Sequence, residues 1–364
     1  LNYLLIFLLI LISFIGAAGL YSAADGSYQP WASKHLVRFY IFLLMVYNFY
    51  SLYGQSTIGS VERLDPEINS LIPINAKIEI LGSGYNWSEG PIWVESLNGL
   101  LFNDPPENKM YLWTEGPGVK LYLDPSGYTG YAPSSLKKGS NGMAFNTNGS
   151  IIMAHPGDRR IARFNSSFEN PEPKFETITD KYMGKRFNSP NDVVVNENND
   201  VFFTDPPYGL KNQDNDSLKE LSFNGVYKYS NNQTILLYKN MTRPNGLAFS
   251  KDGSELYVAN SDPKKALWYV FDLNKAPPLT PELFFDATSL VSKEKKGLPD
   301  GLKVHSKGYV FASGPGGILI FNNSKKHIGT ILTEVASSNC AFNSDESYLY
   351  MTSDNYLTRI KLVK

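Results

Sequence analysis

From about residue 77 to the C-terminus, short β-rich apolar runs alternate with polar turns. The clearest copy is Ser189-Pro190-Asn191-Asp192, then Val193-Val194-Val195, a turn over 196–200, and Val201-Phe202-Phe203-Thr204-Asp205. A polar residue, a β-rich run, a turn and a second β-rich run predict a hairpin that begins and ends on polar side chains. Set on the same polar position, five further copies begin at Glu89, Asn141, Asn245, Asp300 and Asn339. Successive copies are roughly 40 to 55 residues apart, the spacing of four-stranded propeller blades. The pattern predicts an all-β chain folded as a six-bladed β-propeller.

The first strand of each blade lines the central channel of such a fold. The six anchors therefore meet at one mouth of the channel. Antiparallel pairing sets the end of each second strand beside the start of the first. A second polar set, Asp104, His155, Asp205, Asn260, Ser313 and Ser353, is expected to flank the same mouth.

Residues 1–75 lack this pattern and are read as an N-terminal hydrophobic targeting or anchor region with a linker, and 76–364 as the propeller. The apolar run Leu4 to Leu20 is long enough to enter a membrane; Phe39 to Tyr50 is a shorter run preceded by Lys34, His35 and Arg38, in the order of a secretory signal. Secretion or membrane anchoring, with contact to the membrane through these segments, is the expectation. Lys77 to Leu81 forms a strand with no hairpin of its own, and the C-terminal run Tyr356 to Leu362 is a third strand without a fourth. Pairing the two closes the ring and removes an open edge.

Composition narrows the chemistry. A net charge of −1 without a long basic run argues against a nucleic-acid partner. The single cysteine, Cys340, excludes an intramolecular disulfide and a thiolate metal cluster, and four histidines without HExxH disfavour a zinc enzyme. The chain has no Gly-x-Ser-x-Gly nucleophile elbow. Two acids and several carboxamides converging on one mouth offer oxygen ligands only, which suit Ca²⁺ first and Mg²⁺ or Mn²⁺ after it. The fold is thus expected to carry a metal site in its central channel. The long polar insertions 165–187 and 208–224 are candidate walls or lids of that site.

Glu89-Gly90-Pro91-Ile92-Trp93, Asn188-Ser189-Pro190-Asn191-Asp192, Phe203-Thr204-Asp205-Pro206-Pro207-Tyr208-Gly209-Leu210, Arg243-Pro244-Asn245-Gly246 and Leu298-Pro299-Asp300-Gly301 resemble the gluconolactonase family, which includes senescence marker protein and luciferin-regenerating-enzyme-like proteins. Ala154-His155 with Arg159-Arg160, and Ser313-Gly314-Pro315-Gly316-Gly317, are similar to its bacterial branch. The resemblance implies a divalent cation on the propeller axis, with Ca²⁺ foremost and Mg²⁺, Mn²⁺ or Zn²⁺ as the other candidates, and hydrolysis of a lactone. By motif, the metal ligands fall on Glu89, Asn191, Asn245 and Asp300. Asn141, Arg186 and Asp192 fall where substrate is held, and Asn339, which completes the ring, is expected to bind substrate with them. For the base that activates water, Asp300 and His155 are the candidates. Two other readings stay open: hydrolysis of other lactones, aryl esters or organophosphates at the same site, and a non-catalytic ligand-binding propeller.

Overall fold

The computed structural model describes residues 3–53 and 56–363, with side chains described for 9–45 and 56–363. Residues 1–56 and 57–364 form two separate units. In the first, two helices, Tyr3–Ala23 and Trp31–Tyr53, are joined through Asp25 and Gly26, both at positive φ. Among the described residues, no helix is long and apolar enough to cross a membrane. The smaller and polar stretch 51–60 lies partly outside the described residues.

The second unit is the expected ring. Among the described residues, six antiparallel sheets of four or five strands follow one another around an axis. Each hairpin read from the sequence supplies the two inner strands of a blade, as in Val193–Val195 paired with Val201–Asp205. The alternation of apolar and polar positions follows the period-2 pleat, and the apolar faces meet between blades. There is one hydrophobic cluster for each of the six blade–blade contacts among the described residues. Cys340 lies in one of these clusters, fully buried, and burial pushes its thiol up to about 12. It is a packing residue.

Ring closure occurs where the sequence placed it. Strand Ile78–Ser83 pairs antiparallel with Tyr356–Lys361, with Ile78 opposite Ile360, and becomes the outer strand of the last blade. Arg359 Nε binds Glu79 Oε2 at 2.7 Å across that seam. Deleting residues 76–82 exposes the edge of Tyr356–Lys361 and opens the ring; the expected result is a fall in melting temperature of more than about 10 °C, or failure to fold. An unchanged melting curve would rule the closure out.

The boundary at 75/76 is corrected by the structure. Strand Ser60–Arg63 adds a fifth strand to the fifth blade by pairing with His327–Leu332, and the short 3₁₀ helix Pro66–Ser70 packs Ile68 into the core. Arg63 fixes this segment by donating to Asn69 Oδ1 and to the carbonyls of Ile72 and Pro73. Residues 57–75 therefore belong to the propeller. The reading as linker failed because Pro66, Pro73 and mixed charge mask three apolar residues, Ile68, Leu71 and Ile72, that are at most 1% exposed.

Candidate active site

Backbone hydrogen bonds fix the register of the anchors. Asn141 N donates to Ala154 O, Asn191 N to Thr204 O and Asp300 N to Ser313 O, at 3.0 to 3.1 Å. A belt of contacts links the blades at this level. Asn103 Nδ2 donates to Asn141 O, Gly142 N to Asn191 O, Thr204 Oγ1 to Asn245 O, Gly301 N to Ser338 O, and Ser338 Oγ to Ser88 O. By this equivalence the sixth anchor is Ser338. Asn339 stands one position further on, level with Asp192, and Gly314, not Ser313, is level with Asp205. Both sequence assignments were one residue out of step.

A cavity of about 1010 Å³ opens over the belt. Glu89, Asn141, Asn191, Asn245 and Asp300 all line it, so the structure brings together the four expected metal ligands and one expected substrate contact. Glu89, Asn191 and Asn245 are at most 5% exposed. Burial and the nearby Asp192 push the Glu89 carboxyl up to about 7, against a 2.6 Å bond from Gly90 N. Asp300 is raised well above the usual carboxylate range by burial and by the charges of Glu89 and Asp192. The two acids thus share one low-dielectric space and oppose each other's ionisation. Asn245 interacts through its amide with Asp300, while its buried Oδ1 has no partner among the described residues.

Beneath this layer, Asp192 and Asn339 fill space left by glycines. A Cβ on Gly142 would stand 2.0 Å from Asp192 Oδ1, and one on Gly301 would stand 1.9 Å from Asn339 Cγ. Neither side chain lines the cavity, which corrects their expected role as substrate contacts. Asn339 instead offsets the rise of the Glu89 and Asp192 carboxyls through its side chain, and Lys303 Nζ donates to Asn339 Oδ1 at 3.3 Å.

The flanking set is also corrected: none of Asp104, His155, Asp205, Asn260, Ser313 and Ser353 lines the cavity. Three of them clamp the loop that leads into each anchor. Asp104 accepts from Asn86 N and Trp87 N, Asp205 from Asn188 N and Ser189 N, and Asn260 from Arg243 N. Burial pushes Asp205 up to about 7. Asp205→Ala leaves two buried N–H groups unpaired beside Asn191, an expected loss of about 3 kcal/mol measurable by urea unfolding.

His155 is fully buried, edge-on to Phe175 at 4.7 Å between ring centroids, with both ring nitrogens lacking a partner among the described residues. Burial and the Arg160 charge hold its pKa well below the usual imidazole value. It is placed off the cavity and its burial favours the neutral ring, which leaves Asp300, on the cavity floor, as the better-placed candidate base. Arg186 is likewise away from the cavity, paired with Asp180 at 3.2 Å.

The sequence reading missed most of the walls: Trp87, Lys138, Arg243 and Leu298 line the cavity. A signal existed, because Trp87, Lys138, Arg243 and Leu298 each lie two or three residues before an anchor. Of the two long insertions, 208–224 contributes Tyr208 and Gln213 to the wall and 165–187 contributes nothing.

The donors on offer at the mouth are carboxylate and carboxamide oxygens. Among the described residues there is no group of three or more His, Cys, Asp or Glu placed to hold a metal ion. A hard cation that accepts amide oxygens beside two acids is the one such a set fits.

Fold and site together define a six-bladed β-propeller with an acid-and-amide cluster at the floor of one open cavity. The chain belongs to the SMP-30/gluconolactonase/LRE-like family, whose model matches residues 87–355. It is 37% identical over 313 residues to the gluconolactonase of Zymomonas mobilis, covering 84% of this chain and 87% of that one. The solved structure of a gluconolactonase from Xanthomonas campestris superposes with a TM-score of 0.71 at 25% identity, covering 85% of this chain and 97% of the other. Regucalcin from Agrobacterium tumefaciens, described as a calcium-binding protein, shares the fold at a TM-score of 0.58 and 14% identity, over 84% of this chain and 95% of that one.

Proposed function

We propose that this protein is a divalent-cation-dependent lactonase that opens a sugar-type lactone by attack of activated water. The observation that carries the reading is the pairing of Glu89 and Asp300 on one cavity floor among carboxamides, with both pKa values raised. Two carboxylates that repel each other in a buried site are tolerated when a cation joins them. Similarity to the Zymomonas gluconolactonase over most of both chains supports the substrate class.

Glu89, Asn191, Asn245 and Asp300 would hold the cation, with Ca²⁺ the best match to neutral and anionic oxygens. When bound there, such a cation would supply Lewis-acid polarisation of the lactone carbonyl. Asp300 would accept a proton from the attacking water, ionised at neutral pH because the cation it helps to hold offsets the burial that otherwise raises it. Asn141 offers hydrogen bonds to substrate hydroxyls, and Trp87 with Pro105 and Pro106 offers a flat apolar wall to a sugar ring.

Rates on gluconolactone, aryl esters and phosphotriesters, each followed by acid release, test the substrate class. The expected order puts the sugar lactone first by at least about tenfold. Preference for a phosphotriester or an aryl ester would move the activity to that class, and no turnover on any of them would leave a ligand-binding propeller.

A further inference from the structure

One flank of the cavity is tied together by backbone hydrogen bonds. Trp87 N donates to Asp104 Oδ1 at 3.2 Å, Gly139 N to Pro105 O at 2.8 Å and Gly157 N to Lys138 O at 3.1 Å, which ties the rims of the first two blades together. Gly157 approaches so closely that a Cβ there would lie 2.2 Å from Lys138 O. The backbone of Lys138 is thus fixed where its side chain lines the cavity.

The two cations on the cavity wall differ. Arg243 is held by Asp214 Oδ2 at 2.6 Å, by Gln213 Oε1 at 3.0 Å and by the Thr242 carbonyl at 2.6 Å. The Lys138 ammonium has no ion pair or hydrogen bond among the described residues, and the charge acting on it is that of Glu89. Burial works against its charged form. A divalent cation held by Glu89 and Asp300 would cancel both carboxylates, and Lys303 offsets Asp192. Lys138 is then a partly desolvated charge facing the reaction space without a counter-ion, a costly state until an anion arrives.

Lactone opening generates such an anion at one place. The oxygen of water bonds to the acyl carbon and the ring C–O bond breaks. One proton of the water reaches the ring oxygen, which becomes a hydroxyl. The other leaves through Asp300, and the negative charge remains on the two acyl oxygens of the hydroxy acid. We propose that Lys138 is a substrate-holding residue that binds these acyl oxygens, so that the site recognises aldonates and the charge that develops on the way to them. The assignment rests on the lactonase reading for the nature of the anion.

Gluconate binding in saturating Ca²⁺, measured by titration calorimetry with glucitol as the uncharged control, tests it without turnover. Lys138→Met is expected to weaken gluconate binding at least tenfold and leave glucitol and the melting temperature unchanged, while Lys138→Arg stays within about threefold of the wild type. Equal gluconate affinity in wild type and Lys138→Met, equal loss of gluconate and glucitol, or no gluconate binding by the wild type each overturns the assignment. Gluconate binding that depends on Lys138 in a protein that opens no lactone upholds the assignment and sinks the lactonase reading alone.

Discussion

Asp300→Asn is expected to lower kcat/KM for gluconolactone by at least about 10³-fold while the propeller stays folded. Two losses combine: general-base catalysis is worth about 10² to 10⁴ in rate, and the variant also removes one of two anionic ligands from the proposed cation site. The stability effect has the opposite sign. Asp300 is raised by burial and by the charges of Glu89 and Asp192, so a neutral isostere relieves repulsion in the metal-free protein. Its melting temperature near pH 7 should equal or exceed that of the wild type. A variant that loses activity only because it unfolds, or one that keeps more than about a tenth of the wild-type rate, contradicts the assignment of Asp300.

The second large effect couples cation binding to pH. Glu89 has a folded pKa of about 7 against an ordinary value of 4.5, and Asp300 moves in the same direction. A carboxylate raised in the folded state stabilises the fold fully below its unfolded pKa, and that contribution is lost as pH rises through the folded value. For Glu89 the shift corresponds to about 3 kcal/mol lost between roughly pH 4.5 and 7. A cation must displace these protons, so the rise in melting temperature on adding Ca²⁺ should be small at about pH 5 and reach several degrees by about pH 7.5. Apparent affinity should fall by at least about tenfold for each pH unit below 7. Comparing loaded and metal-free protein at each pH removes contributions that both share, including buried Asp205, whose raised pKa acts in the same direction, and buried His155, whose lowered pKa acts in the opposite one. Glu89→Gln should abolish most of the difference. A cation-induced shift independent of pH would show that Glu89 and Asp300 do not release protons to the ion.

The parts of this molecule that repeat were legible in the chain. Hairpin period, turn residues and a polar side chain at the head of each inner strand recur because each blade solves the same packing problem, and five of the six anchors were placed correctly. The sixth was misread at an irregularity in strand pairing between Ser337 and Asn339, where one residue more or less changes which side chain reaches the channel. Asp192 and Asn339 were assigned to substrate because nothing in a linear pattern separates the top layer of a channel from the layer beneath it. His155 carried the chemistry of a base, but only packing reveals that Phe175 and Arg160 keep it buried and neutral. The walls escaped notice for another reason: Trp87, Lys138, Arg243 and Leu298 share no residue type, so only their place two or three residues before an anchor marks them. Ser60–Arg63 was hidden because an added edge strand needs no hairpin signal when the partner strand is distant in sequence.

The central claim is that Glu89, Asn191, Asn245 and Asp300 grip a single divalent cation on which lactone opening depends. Gluconolactone hydrolysis by the full chain, followed at constant pH after exhaustive chelation and then during stepwise return of Ca²⁺, tests it most directly. The expected result is a loss of at least about 100-fold on chelation and recovery that saturates at one equivalent of a restoring cation, with Mg²⁺, Mn²⁺ and Zn²⁺ run in parallel. Undiminished turnover in chelator, with no response to any of the four ions, would contradict the account.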